Sequence, residues 1–463
     1  DDNTINSNVN YTALANLVKI VRSHSMRFGF EYRRLQAASI IRQNTTGTYN
    51  FTRSWTSSNP QLDDGASGNA IASFLIGYMS GASANLNVAP YRSWKYPVLF
   101  FQDDWQVSRR LTLNLGLRWD YESGPVERYD RQNRGFDFMA KSPYQVPGLD
   151  LRGGLLFAGV DGQPRTTFNL DANNWQPRAG FAFRPFASRP LVLRGGVGRY
   201  FFPLADFGTT TGFSQVTTAV TSTPDFLPFT TLSNPFPNGL VQPPGNSRRL
   251  ATQVGDSLAF ADPSRTVPNV WQFSAGFQYE LIAGFVVDAS YVGSRSRELQ
   301  VNRSLSYLTP EQLALGTPYL NQTVPNPFYG VLPVNTPRGA QATTQRRSLL
   351  GQFPQYTGLT GNFNSLGSSW YNAFQLRVEK RFAKGLTALV SYTNSKTMEA
   401  ASYLNSSDKA LARELASFDV PQRLYISALY EFPIGPGKRW ASRGLVSYLV
   451  GGWQLGLNLL KQS

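Results

Sequence analysis

The 463-residue sequence contains no cysteine and only one histidine, His24. The first absence removes disulfides, thiol nucleophiles and thiolate metal sites together. The second leaves no multi-imidazole metal centre, and a Ser-His-Asp triad would have to rest on one residue in a tight turn. Charged residues are scarce, at 16%, against roughly 25% in an ordinary soluble domain. Long apolar runs are lacking as well. The best candidate, 444–460, is interrupted by Gly451, Gly452, Gln454, Gly456 and Asn458, and its second half alternates as a strand does. A mean hydropathy of −0.28 argues against a bundle of membrane helices.

What the chain has instead is aromatics, with 31 Phe, 22 Tyr and 9 Trp, and a recurring two-residue period. From Leu111 to Tyr121 the apolar side chains alternate without a miss against Thr112, Asn114, Gly116, Arg118 and Asp120. Successive strand side chains point to opposite faces, so this is one strand, apolar on one face and polar on the other. The pattern returns over Met26–Arg33, Trp271–Leu281, Phe374–Arg381, Leu424–Phe432 and Trp453–Leu459. Globular strands average about 5–6 residues, whereas a strand crossing a bilayer needs about 9–11. These runs have the longer length, and a membrane barrel with lipid outside and water inside produces this repeat.

Tight turns close strand pairs at Val107–Leu111, Phe186–Leu191, Leu281–Phe285 and Phe382–Leu386. Between them lie long segments near 124–173, 203–267 and 298–367, rich in Pro, Gly, Asn and Thr. Long loops at one end and short turns at the other is the asymmetry of outer-membrane barrels, whose short turns are periplasmic. The expected fold is therefore all-β: an antiparallel transmembrane β-barrel segment of about 14–16 strands. Two short helices are predicted, Ala70–Tyr78 and Pro310–Leu315. Trp94, Trp105, Trp119, Tyr121, Trp370, Tyr371, Trp440 and Trp453 are assigned to interfacial girdles. A β-propeller would need a four-stranded blade every 40–50 residues or so, and no blade motif repeats here.

The net charge of +15 raises the question of nucleic acid. The short connections, Arg22–Ser25, Ser108–Arg110, Arg184–Pro190, Leu281–Gly284, Lys380–Gly385 and Ile434–Leu445, together hold 11 basic residues and no acidic ones, Leu281–Gly284 holding neither, while the loop 124–173 is balanced. Positive charge thus gathers at one rim, where anionic lipid headgroups attract it. A nucleic-acid groove would instead interleave basic and aromatic residues along a concave face, so lipid and not nucleic acid is the expected partner.

Several strands resemble those of TonB-dependent outer-membrane receptors of the Oar-like group. The resemblance rests on Leu99–Val107 followed by Leu111–Tyr121, on Asn174–Phe183 with Leu193–Phe201, and on Tyr371–Phe382, Asp419–Leu424 and Gly452–Leu455, in that order. It implies a barrel of roughly 22 or more strands with a plugged lumen, a plug domain, a TonB-contacting segment and a transported solute. Neither plug nor signal peptide is recognisable here, so residues 1–463 are expected to be one segment of a single barrel domain.

No catalytic constellation, cofactor site or metal site emerges. Gly195–Gly198 lacks the spacing of a phosphate loop and sits in a strand. Asp103 and Asp104 are adjacent and point to opposite faces, so they cannot share a proton. Asp103 breaks an apolar stripe without an evident reason. Asp63-Asp64-Gly65 reads as a solvated turn that could at most help hold a cation. The lumen face remains as the functional surface, lined by Arg118, Asp120, Gln272, Gln278, Glu280, Asp288, Gln375, Arg377 and Glu379, as candidate contacts to substrate or plug. Three functions compete: a receptor that imports a bulky nutrient, a structural or adhesive barrel, and, least supported, an outer-membrane enzyme.

Overall fold

The computed structural model describes residues 3–59, 65–203, 211–223, 226–282, 284–383 and 385–463. Twelve strands form the backbone of one large sheet, each paired with its predecessor in antiparallel fashion. They are β1 (Asn3–Val21), β2 (His24–Arg42), β3 (Tyr91–Ser108), β4 (Leu111–Asp120), β5 (Trp175–Phe183) and β6 (Leu191–Phe201). Then come β7 (Asn269–Ile282), β8 (Phe285–Ser304), β9 (Gly358–Ala383), β10 (Leu386–Ser402), β11 (Gln422–Glu431) and β12 (Gln454–Gln462). Three short strands join the sheet off this path and bring it to 15, within the expected range. β1 and β12 are its edges, each hydrogen-bonded to one neighbour among the described residues.

Register fixes the two faces. Leu113 lies opposite Phe181 and Trp105, and Leu115 opposite Ala179 and Asp103, so one apolar stripe continues across three strands. Leu99, Leu115, Leu117, Phe181, Val197, Phe277 and Phe374 are all exposed on that outer face. A contiguous apolar patch of this extent on a soluble monomer would be an aggregation hazard, and in a membrane it is the lipid-facing band. No described helix is long and apolar enough to cross a membrane. Hairpin turns sit together at one end; at one of them Gly385 takes φ +82, where a Cβ would meet the Glu431 carbonyl oxygen at 2.5 Å. The turns near 283 and 384 fall partly outside the described residues, as do Asp63 and Asp64.

At the other end the long loops are not mere connections. Phe136, Leu151, Leu155 and Phe157 from the first pack against Val254, Leu258 and Phe260 from the second, and against Phe328, Leu332, Phe353 and Tyr356 from the third. The result is a folded crown with its own hydrophobic core, tied to β9 through Leu359. The crown also pairs with the wall in parallel, Ser257–Ala261 alongside Gly358–Asn362. Glu127, 1% exposed, anchors the first loop by accepting from the Tyr129 and Arg131 N–H groups at 2.9 and 3.0 Å. The first predicted helix forms over Ala70–Leu75, capped by Asn69. The second forms over Pro310–Leu313, where Thr309 and Gln312 complete a capping box.

Trp94 departs from its assignment to a girdle. It shares the inner face of β3 with Tyr96 and Val98, and all three are buried.

Candidate functional site

Polar residues of consecutive strands fall into lateral rows on the inner face. Gln102 of β3 is opposite Gly116, Gly116 opposite Arg178, Arg178 opposite Gly198, and Gly198 opposite Gln272. The adjacent row carries Asn114, Gly180, Gly196 and Ser274. Four glycines thus leave a low backbone floor, the circumstance in which a ligand can approach a sheet closely. Over it lies a hollow of about 720 Å³. Its charged lining residues, among those described, are Arg118 and Arg178, with no carboxylate.

Asp120, 3% exposed, organises the crown-side rim. Its Oδ2 accepts from Gln176 Nε2 at 2.6 Å, Tyr96 Oη at 2.9 Å and Arg118 Nε at 3.1 Å. A buried carboxylate is tolerated when its lone pairs are filled this way. The Arg118 guanidinium is thereby held in place. Among the described residues Arg178 has no carboxylate partner, and its guanidinium carbon lies 4.7 Å from the Tyr200 ring centroid, a cation–π contact that orients it without neutralising it. A second space of about 430 Å³ shares Arg118, Arg178, Tyr200 and Gln272 and adds Arg33, Tyr96 and Asp120.

Of the residues expected to line the lumen, Arg118, Asp120 and Gln272 come together here. The other six lie towards the turn end. Gln278 accepts from Arg194 at 2.6 Å, and Glu280 accepts from the Gly284 N–H in the β7–β8 turn at 3.2 Å. Asp288 is opposite both Gln278 and Arg377. Arg377 pairs with Glu379 at 2.9 Å, and Gln375 lies opposite Ser290. All nine share the inner face, but in two groups. Arg178 and Tyr200 were not singled out from the sequence. Strand parity would have found them, since the register that exposes Arg118 inward does the same for Arg178.

The sequence matches a family described as outer membrane beta barrel domain over residues 1–463. The chain belongs to this family. Its place is accordingly the bacterial outer membrane. None of the curated proteins compared matches it. Among solved structures it is similar to the outer membrane transporter YddB from Escherichia coli, at 11% identity and a TM-score of 0.47, covering 99% of this chain and 47% of that one. A copper transporter, OprC, gives 10% identity and a TM-score of 0.44, with 92% and 41% covered. The siderophore receptor PirA from Acinetobacter baumannii gives 10% and 0.39, with 99% and 48% covered. This outer-membrane β-barrel chain therefore spans less than half the length of each.

Proposed function

We propose that the chain is the wall and surface crown of a TonB-dependent receptor, importing a bulky solute past the inner-face hollow. The observation that carries this reading is the hollow itself: a glycine floor flanked by an oriented but unneutralised Arg178 and a fixed Arg118, below a folded crown. A wall that only needed to face water would not require a buried carboxylate hub to hold one arginine. The strand motifs of β3 to β6, similar to those of such receptors, support the energy source. Arg118, Asp120 and Gln272 are assigned to solute contact. Gln278, Glu280, Asp288, Gln375, Arg377 and Glu379, nearer the turn end, suit contact with a plug.

The experiment compares depletion of solutes from the growth medium, by untargeted mass spectrometry, between parental cells, cells lacking this gene and cells lacking TonB. At least one solute should be consumed by the parental cells alone. Identical profiles in all three would reject transport and favour a structural or adhesive barrel.

A further inference from the structure

One lateral row on the outer face alternates cation and indole. Arg199 of β6 is opposite Trp271 of β7, Trp271 opposite Arg295 of β8, and Arg295 opposite Trp370 of β9. Met398 of β10 and Leu415 of the short strand Ala412–Leu415 continue it. Strand parity puts these side chains on the apolar face, with Val197, Phe277 and Phe374. Three further cations on that face flank the row, Arg297, Lys396 and Arg413, and all three are exposed.

Aromatic rings orient the arginines. The guanidinium carbon of Arg199 lies 4.5 Å from the Phe201 ring centroid, that of Arg295 5.6 Å from Phe273, and that of Arg413 4.8 Å from Trp370. Such contacts direct a cation without neutralising it. Arg295 also donates to the Asn372 side-chain oxygen at 2.8 Å, a neutral partner. Among the described residues none of the five cations forms an ion pair. Two carboxylates adjoin the row: Glu298 accepts from Asn269 Nδ2 at 2.6 Å, and Asp419 from the Thr397 N–H at 2.7 Å. Five cations against two carboxylates leave the band positive.

Its height decides the partner. Counted up from the turn-end residues Ile282 and Ala383, Trp271 and Trp370 stand roughly 30 Å above them at the usual rise and tilt of barrel strands. The apolar band of such a wall is about 25 Å tall, so the row sits at headgroup level on the crown side. Indoles favour that level, and arginine forks match phosphate oxygens.

We propose that this row is a docking band for phosphate-bearing lipid headgroups, whose acyl chains lie against the apolar stripe below it. This positive band is distinct from the basic turns at the opposite end, and solute transport makes no use of it.

The test uses the chain folded into phosphatidylcholine vesicles, with a bimane label on Leu415→Cys, an exposed row position in a chain without native cysteine. Quenching by chain-doxylated phosphatidate is compared with quenching by phosphatidylcholine carrying the same chains. Phosphatidate should be enriched at Leu415 by about threefold or more, and not at a label on Phe277→Cys, lower on the same face. Lys396→Gln/Arg413→Gln should remove the enrichment, while Lys396→Arg/Arg413→Lys, which keeps both charges, should retain it. Equal quenching by the two lipids at Leu415, the same preference at Phe277, or a preference untouched by the glutamine pair would overturn the proposal. Abolition of the preference by millimolar inorganic phosphate would also overturn it, by making the band a free-anion site.

Discussion

His24 Nδ1 lies 2.7 Å from Asp103 Oδ2, joining the chain's only histidine to the residue that breaks the apolar stripe of β3. Register makes this possible, since His24 is opposite Trp105 and Met26 opposite Asp103. The imidazole also stacks on Trp105, with ring centroids 5.1 Å apart. A carboxylate on the outer face is thus tolerated at the turn end, where a partner from the preceding strand reaches it.

Removing one partner should therefore be worse than removing both. His24→Leu strands a largely buried carboxylate and should lower stability by about 1–3 kcal/mol. The double variant His24→Leu/Asp103→Leu should recover most of that loss, because both polar groups are gone. Urea unfolding from lipid vesicles measures the difference. A double variant no more stable than His24→Leu would refute the pairing as the reason for Asp103.

The Asp120 hub gives a second expectation. Asp120→Leu leaves Tyr96, Gln176 and Arg118 without their shared acceptor and should cost about 3–5 kcal/mol, as for other broken buried pairs. Asp120→Asn keeps the shape and one acceptor and should cost less, about 1–3 kcal/mol. Equal losses in urea midpoint would mean that the carboxylate does not organise the rim.

The crown should melt as a unit without the wall. Leu155, 1% exposed, and Phe328, 0% exposed, sit inside its core, so alanine at either should destabilise it by about 2–5 kcal/mol. Hydrogen exchange should accelerate across the 136–160 and 328–356 segments, while β4 to β6 keep their protection. Uniform acceleration over crown and wall would show one cooperative body instead of two.

The wall was legible in the sequence because its signal is local. Leu111–Tyr121 announces a strand by period alone. The register that joins the apolar faces across strands appears only in the structure. The crown was not legible. Phe136, Leu155, Phe260, Phe328 and Phe353 come from three segments with no common period, and only their meeting in space makes a core. The lumen site was partly legible: Arg118, Asp120 and Gln272 show by parity on their own strands, whereas their meeting with Arg178 and Tyr200 around one space depends on pairing across four strands. The His24–Asp103 pair, 79 residues apart in sequence, leaves no trace in either strand alone.

Orientation can be read on intact cells, since no native cysteine competes. Cysteines placed at Asn238, Pro327 and Ser407 should react with an impermeant maleimide, and those at Ser108, Arg189 and Arg439 should not. Labelling of the second set in unbroken cells would invert the topology.

The central claim, that one face meets lipid and the other water, is tested most directly by arginine substitution across the two faces of the same strands. Arginine at Leu115, Phe277 or Leu376 should cost about 2–4 kcal/mol in folding into lipid vesicles when the site lies near mid-bilayer. At Asn114, Gln278 or Gln375, one position away, the cost should be far smaller. Equal costs for the two sets would contradict the membrane wall.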